Sequence, residues 1–320
     1  FRDVRKTFEE VGDALNVLTA LDNIGDIQLA RGDLRTSEKT FQEVIARMTP
    51  PDRDGYPYYR LASLHLLQGR VGEARREAEQ AIAMFTATGS AVQYRSEALM
   101  VLGEVLQAGG DLDGARREFQ QSLDTRVKLG DAVLIASSRA SLASLSIEEG
   151  HPSEGEAAVR EALSEFEKEK DVVDLVGGYI DLSRASLMLS RMDEAHTAIL
   201  QAATLARANP DPALKYAVTI QDARVKGAAT DAPAAPARGR DALSEARRQL
   251  QSVIAEARRL GYVSFACEAR LALGEIEIGA DSALGRSDLE ALAREAHARG
   301  LELISRKAAE ILNQRGRQSS

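Results

Sequence analysis

Apolar residues recur along this chain at a step near 40. Phe1, Phe41, Ala78, Phe119, Val159, Ile199, Leu250 and Leu289 stand in one register, separated by 40, 37, 41, 40, 40, 51 and 39 residues. At the first marker, Phe1, Val4, Phe8 and Val11 follow a three- and four-residue spacing, the period of a helix with one apolar face. Eleven residues after each marker the pattern breaks, at Gly12, Asp52, Gly89, Gly130, Lys170, Pro210, Gly261 and Gly300. Five of these are glycine, which most readily takes the left-handed conformation that ends a helix. Asp13, Ser90, Asp131, Asp171 and Asp211 follow directly, with side chains suited to cap the next helix. A second turn at Gly32, Gly69, Gly110, Gly150 and Ser190 divides each unit. The predicted unit is therefore a pair of helices, A and B.

Two further positions fix the frame. Four residues before the markers stand Ser37, Ala74, Ala115, Gly155, Ala195, Ala246 and Gly285. In the preceding helix stand Gly25, Ala62, Gly103, Ala143, Ser183, Ala223 and Gly274. All fourteen are small, as expected where two helices cross closely. Stretches such as LDNIGDIQLARGDLRTSEKTFQEVI and LMVLGEVLQAGGDLDGARREFQQSL resemble tetratricopeptide (TPR) repeats, with a small residue in helix A, a glycine turn, an alanine in helix B and an aromatic four residues later. The period near 40, with its Leu-Gly-Asp linker, is similar to the longer repeats of kinesin light chains and large bacterial signalling regulators. The closing stretch ARLALGEIEIGADSALGRSDLEALAREAHARGLELISRKAAEIL also resembles the end of repeat arrays carried by multidomain bacterial Ser/Thr kinases. The resemblance implies an all-α, right-handed superhelical solenoid of antiparallel helix pairs.

The expected organisation follows from the frame. Residues 1–12 are helix B of a half repeat, and 13–227 hold repeats one to five with helix A of the sixth. Residues 228–238, AATDAPAAPAR, are too rich in alanine and proline to continue a helix. They are either a loop inside the sixth repeat or a linker between two arrays. Residues 239–300 complete repeats six and seven, 301–315 form a capping helix, and 316–320 a polar tail. In that cap Ile304, Ala308, Ile311 and Leu312 share a face, with Arg306, Lys307 and Glu310 expected outward. The chain begins inside a unit, which implies either a fragment of a longer protein or a lone capping helix.

Composition narrows the function. Aromatics make up 4% of the 320 residues and tryptophan is absent, a mixture that suits helix over strand. A net charge of −8 argues against a nucleic-acid surface. The single Cys267 excludes an internal disulfide and a cysteine metal cluster. No apolar run reaches the roughly 18–20 residues of a membrane span, and the expected location is cytoplasmic. No phosphate-binding glycine loop, kinase signature or hydrolase signature is present. His65, His151, His196 and His297 lack partners at metal-ligand spacing, and His65 occupies a packing position. Cys267 lies beside Phe265 and Ala266 and reads as a buried, inert thiol. Carboxylate pairs such as Glu9–Glu10 and Glu148–Glu149, and the arginines from Arg238 to Arg259, read as solvated helix faces. No catalytic residue, cofactor site or metal site is expected.

A stacked array presents a concave groove that binds peptides, helices or domains. The resemblance places helix A on that wall, with the positions three and two before, and one after, its small residue facing inward. These give Asp22, Asn23 and Asp26 in the first repeat, Tyr59, Arg60 and Ser63 in the second, Asp181 and Arg184 in the fifth, and Gln221 and Arg224 in the sixth. Tyr56 lies one turn before Tyr59 on the same face. Asn23 matches an asparagine that related long repeats set against peptide backbones. Two functions stay open at this point: a non-catalytic interaction scaffold or sensor segment of a larger bacterial signalling regulator, joined to an upstream domain of its parent chain, or a ligand-gated module that changes superhelical pitch around a small effector or peptide. An apolar, enclosed groove favours the second and an open, charged one the first.

Overall fold

The computed structural model describes residues 2–49, 54–89, 91–229, 238–279 and 283–318. Among them the chain forms sixteen helices and no strand. Helix α1 (Arg2–Val11) precedes α2 (Ala14–Ala30) and α3 (Leu34–Arg47), the first complete pair. The second and third pairs are α4 (Tyr56–Leu67) with α5 (Val71–Thr88), and α6 (Val92–Ala108) with α7 (Leu112–Leu129). Then come α8 (Ala132–Glu148) with α9 (Pro152–Glu169), and α10 (Val172–Met188) with α11 (Met192–Ala206). The last pairs are α12 (Pro212–Ala229) with α13 (Arg238–Leu260), and α14 (Val263–Gly279) with α15 (Ala283–Arg299), closed by α16 (Glu302–Gln318).

The repeat punctuation acts as its chemistry requires. Gly32, Gly69, Gly110 and Gly150 all have positive φ, and Lys170 and Ser190 take the same region at φ 58° and 60°. For those two L-residues the conformation costs roughly 1–2 kcal/mol, which the packed helices on either side must offset. Asp13, Asp131 and Asp171 cap their helices by accepting from backbone N–H groups of Asn16, of Val133 and Leu134, and of Val173 and Asp174.

The small residue of helix A is a seat for the marker of helix B. A Cβ on Gly25 would lie 2.7 Å from the Phe41 ring, and Gly103 and Gly274 receive Phe119 and Leu289 in the same way. Phe41 is fully buried and Phe119 nearly so. The close approach is thus between a backbone and a large side chain, which is why the small residue and the large one recur together. Ser37 Oγ adds a buried hydrogen bond, donating to the Gly25 carbonyl at 2.8 Å.

Two of the expected boundaries shift. Helix α12 runs through Ala229 and α13 starts at Arg238, so residues 228, 229 and 238 are helical, while 230–237 lie outside the described residues. Helix α16 continues through Gly316 to Gln318, past the expected end at 315. At the start, Phe8 packs on Val17, Leu18 and Leu21, whereas Val11 is 71% exposed. The side chains of Phe1 and Val4 lie outside the described residues.

Consecutive pairs stack, and the stack meets itself. Helix α14 touches α4 and α16 touches α6, five pairs apart. The A-to-B turns of the early repeats lie on the B-to-A turns of the late ones. A Cβ at Gly32 would meet Pro212 and the Tyr262 hydroxyl, one at Gly69 would meet Val263, and one at Gly300 would meet Val71. Ser264 Oγ donates to the Leu66 carbonyl at 2.5 Å, and Arg306 Nη2 to the Gly110 carbonyl at 2.9 Å. One apolar core therefore runs from Val71 and Leu102 to Leu271, Leu292 and Ile304. The middle repeats instead hold local cores, around Phe166 and Leu182 and around Val176 and Ile199. One superhelical turn is joined edge to edge to the next, and the groove becomes a channel.

Away from the channel, two singular residues are structural. His65 is 2% exposed between Glu77 and Glu38; burial opposes its charge, but those carboxylates outweigh burial and raise its pKa. Cys267 is buried, and burial pushes its thiol up to about 11, leaving little thiolate at neutral pH.

Candidate functional site

The residue just after each small helix A residue forms a ladder along the channel wall: Asp26, Ser63, Glu104, Ser144, Arg184, Arg224 and Glu275. All seven are polar, and none is buried. The positions two and three earlier behave less uniformly, because the helix tilts them toward the neighbouring repeat. Tyr59 is 6% exposed and Gln221 2%, so these two expected groove residues sit in the packing instead. Tyr59 packs on Phe85 and Tyr56, and Gln221 Nε2 donates to Ser183 Oγ between adjacent repeats.

At the N-terminal end the predicted residues come together. The Tyr56 hydroxyl donates to Asp26 Oδ2 at 2.5 Å and Arg60 Nε to Asp26 Oδ1 at 2.6 Å. The Tyr56 ring stands edge-on to Tyr59 at 5.1 Å and to Tyr94 at 5.2 Å. Asp22 lies beside this group with Oδ1 buried and, among the described residues, without a hydrogen-bond partner. Burial first, then the charges of Asp26 and Asp54, push its carboxyl up to about 8, so Asp22 is mostly protonated at neutral pH. Asn23 takes no part; its amide donates to the Thr19 carbonyl of its own helix at 2.8 Å.

Farther along, Asp181 and Arg184 belong to a charge cluster in which opposite walls of the channel meet. Arg184 pairs with Glu148 at 2.8 Å and Asp181 at 2.9 Å, and Ser144 Oγ donates to Asp181 at 3.0 Å. Lys307, expected outward on the cap, reaches Glu148 at 2.5 Å. Glu148 itself is not on a solvated face: its side chain is 7% exposed, held by these two cations. The cap packs on the earlier superhelical turn, a contact that a single repeat's periodicity does not contain. Arg224 pairs with Glu275 at 3.0 Å; burial alone would lower its pKa, but Glu275, Glu268 and Glu148 raise it.

Between these groups a cavity of about 380 Å³ opens among α6, α8 and α10 and reaches Ser63 on α4. Met100, Val101, Ala140 and Phe166 supply its apolar wall; Ser137, Ser141 and Ser144 supply hydroxyls. Its charged lining is Glu97, Glu104, Asp174 and Asp181, against Arg126 alone. Arg126 crosses from helix B and is 1% exposed, bonded to Ser96, Ser138, the Leu134 carbonyl and Glu97. Glu104 is exposed on the channel wall; desolvation by that wall, Glu97 and Asp174 together push its carboxyl up to about 7 despite Arg126. Burial and Asp171 push Asp174 up to about 6.

Most of this lining was absent from the expected site, although its signal was present. The same three-position rule applied to the third and fourth repeats names Met100, Val101 and Glu104, then Ala140, Ser141 and Ser144, all on the cavity wall. Asp174 and Arg126 have no such signal, since one opens a helix and the other belongs to helix B. Among the described residues no group of histidine, cysteine or carboxylates is arranged to hold a metal ion. Among them no helix is long and apolar enough to cross a membrane.

No family model matches the chain, and no curated protein matches it either. Solved structures do. A Rap protein complexed with Competence and Sporulation Factor is 14% identical, covering 89% of this chain and 76% of that one at a TM-score of 0.66. The apo form of RapI is 13% identical over 94% and 97% of the two chains, TM-score 0.58. A Rap conjugation gene regulator of the plasmid pLS20, in complex with the Phr* peptide, is 13% identical over 82% and 75%, TM-score 0.58. At such identities the likeness concerns the fold alone, and the fold is an all-α, TPR-like solenoid of consecutively stacked helix pairs.

Proposed function

We propose that this protein is a non-catalytic binding module, a scaffold or sensor segment of a larger bacterial signalling regulator, which takes a peptide along its channel. The carrying observation is the polar ladder leading from Asp26 to Glu275 past a cavity with an apolar floor. An extended chain suits this surface, because alternate side chains can enter the cavity while its backbone meets the serine hydroxyls. The seam favours an extended peptide over a folded domain, since it joins successive turns across the side of the groove. Proteins of similar fold have been solved with Competence and Sporulation Factor and with the Phr* peptide, which supports the same reading. Peptides selected from a random library against the full chain should slow hydrogen exchange in α6, α8 and α10. Protection confined to the outer helices α7, α9 and α11 would reject the channel as the site.

The second reading, a ligand-gated change of pitch, is favoured by one observation. The cap α16 ties two superhelical turns through Lys307–Glu148 and Arg306–Gly110. A ligand that competes for Glu148 would loosen that tie. A selected peptide that leaves the small-angle scattering profile unchanged rejects this reading and leaves the first intact.

A further inference from the structure

The cavity holds four carboxylates, but they are not alike. Glu97 is engaged by Arg126 at 2.8 Å, and Asp181 by Arg184 at 2.9 Å. Among the described residues, neither the Glu104 nor the Asp174 carboxylate has an ion pair or hydrogen bond, and both line the same space. The groups bearing on them are Glu97 on their own side, Arg126 from α7, and Asp171 at the start of α10. Arg126 does not serve as their counter-ion, because its donors are already directed to Ser96, Ser138, Leu134 and Glu97. Glu104 is exposed and Asp174 half-buried, and two like charges left unpaired on one wall repel each other and add nothing to stability.

We infer that the cavity is a receptor for an organic cation, an alkyl-ammonium or guanidinium group whose apolar stem lies on Met100, Val101 and Phe166 while its head meets Glu104 and Asp174. The shape agrees with this chemistry. A volume of about 380 Å³ lies at the small end of ligand pockets, enough for one long basic side chain with its flanking backbone, or for a free polyamine. A methylene stem under a charged head matches an apolar floor under an acidic rim. At Gly177 on the same wall, a Cβ would meet nothing within 4 Å, so the rim beside Asp174 has room for the incoming group. The peptide reading above supplies one source for the cation, a lysine or arginine side chain; the acidic rim does not depend on that source.

The two ideas separate in one titration series on the full chain, followed by calorimetry at pH 8. The probes are a capped Ala-Gly-Arg-Gly-Ala pentapeptide, its citrulline counterpart, and agmatine as a free guanidinium-bearing amine. The arginine peptide and agmatine should bind, and the citrulline peptide should bind at least tenfold more weakly. Glu104→Gln with Asp174→Asn should weaken the cationic probes at least tenfold, and Glu104→Gln alone should weaken them by less. Binding should tighten from pH 5.5 to pH 8 with proton release, because the cation favours the ionised carboxylates. If agmatine binds and the peptide does not, the cation site stands and the peptide reading fails. If the citrulline peptide binds as well as the arginine peptide, and the variants match the parent, the peptide reading stands and the cation site is overturned. Absence of binding by any cationic probe at millimolar concentration overturns it too.

Discussion

Two neighbouring parts of the channel wall carry the same kinds of residues to opposite ends. Around Arg184, every charge has a counter-charge: Glu148 holds Arg184 and Lys307, Asp181 holds Arg184, and Glu275 holds Arg224. Elsewhere on the same wall, Glu104 and Asp174 face the cavity with none among the described residues. Residues on the same ladder thus either tie the solenoid together or leave a potential unmet. The difference lies in what stands opposite. The cluster faces the returning superhelical turn, which brings Lys307, and the adjacent helix α14 supplies Glu275 to Arg224, whereas the cavity faces open channel. Paired charges bear on stability and unpaired ones on binding.

The largest test of that contrast is to break the cluster. Arg184→Ala leaves Glu148 and Asp181 short of a cation in a nearly enclosed place. The loss should be about 2–3 kcal/mol, below the roughly 3–5 kcal/mol of a fully buried pair because Arg184 is 25% exposed. Urea denaturation measures it, and a change within about 0.5 kcal/mol would put Arg184 among ordinary surface residues.

The cavity should respond in the opposite sense. Glu104→Gln with Asp174→Asn should raise the melting temperature at pH 8. Both carboxyls are raised above their ordinary values in the folded chain, so the folded state holds protons that the unfolded state has released. Stability therefore falls as pH climbs from the unfolded values near 4 through about 6 and about 7, and the variant lacks that fall. The two proteins should melt together near pH 4 and diverge by pH 8; parallel melting curves across that range would mean the carboxylates are already compensated.

The smallest effect belongs to the tie between turns. Lys307→Met removes one of two cations on Glu148 while Arg184 remains, so the cost should be about 1 kcal/mol or less. Hydrogen exchange in α16 should accelerate more than exchange in α10. Equal acceleration in both would show that the cap is not held from across the seam.

The sequence was most legible where one repeat suffices to explain a residue. Phe41 and Gly25, or Phe119 and Gly103, are spaced so that a large side chain finds a backbone without a Cβ, and the same spacing between small residue and marker recurs through the first five units. The period sets Tyr56, Arg60 and Asp26 in the register of adjacent repeats, and the hydrogen bonds that join them follow from the packing of those repeats. Tyr59 and Gln221 were misread because a few degrees of helix rotation decide between groove and packing, and a one-dimensional pattern does not carry that angle.

Amino-acid order by itself thus determined the helices, their turns, the seats between A and B, and the polar ladder one residue beyond each seat. Those features arise from local propensity and from contacts between neighbouring units. Tertiary structure alone decided that Lys307 would reach Glu148, that Ser264 would bond Leu66 across 198 residues, and that Glu104 and Asp174 would share a cavity. Superhelical pitch controls all three. It accumulates from small rotations at every repeat interface, so no single stretch of sequence encodes it, and the charges become paired or unpaired only when one turn comes to rest on the next.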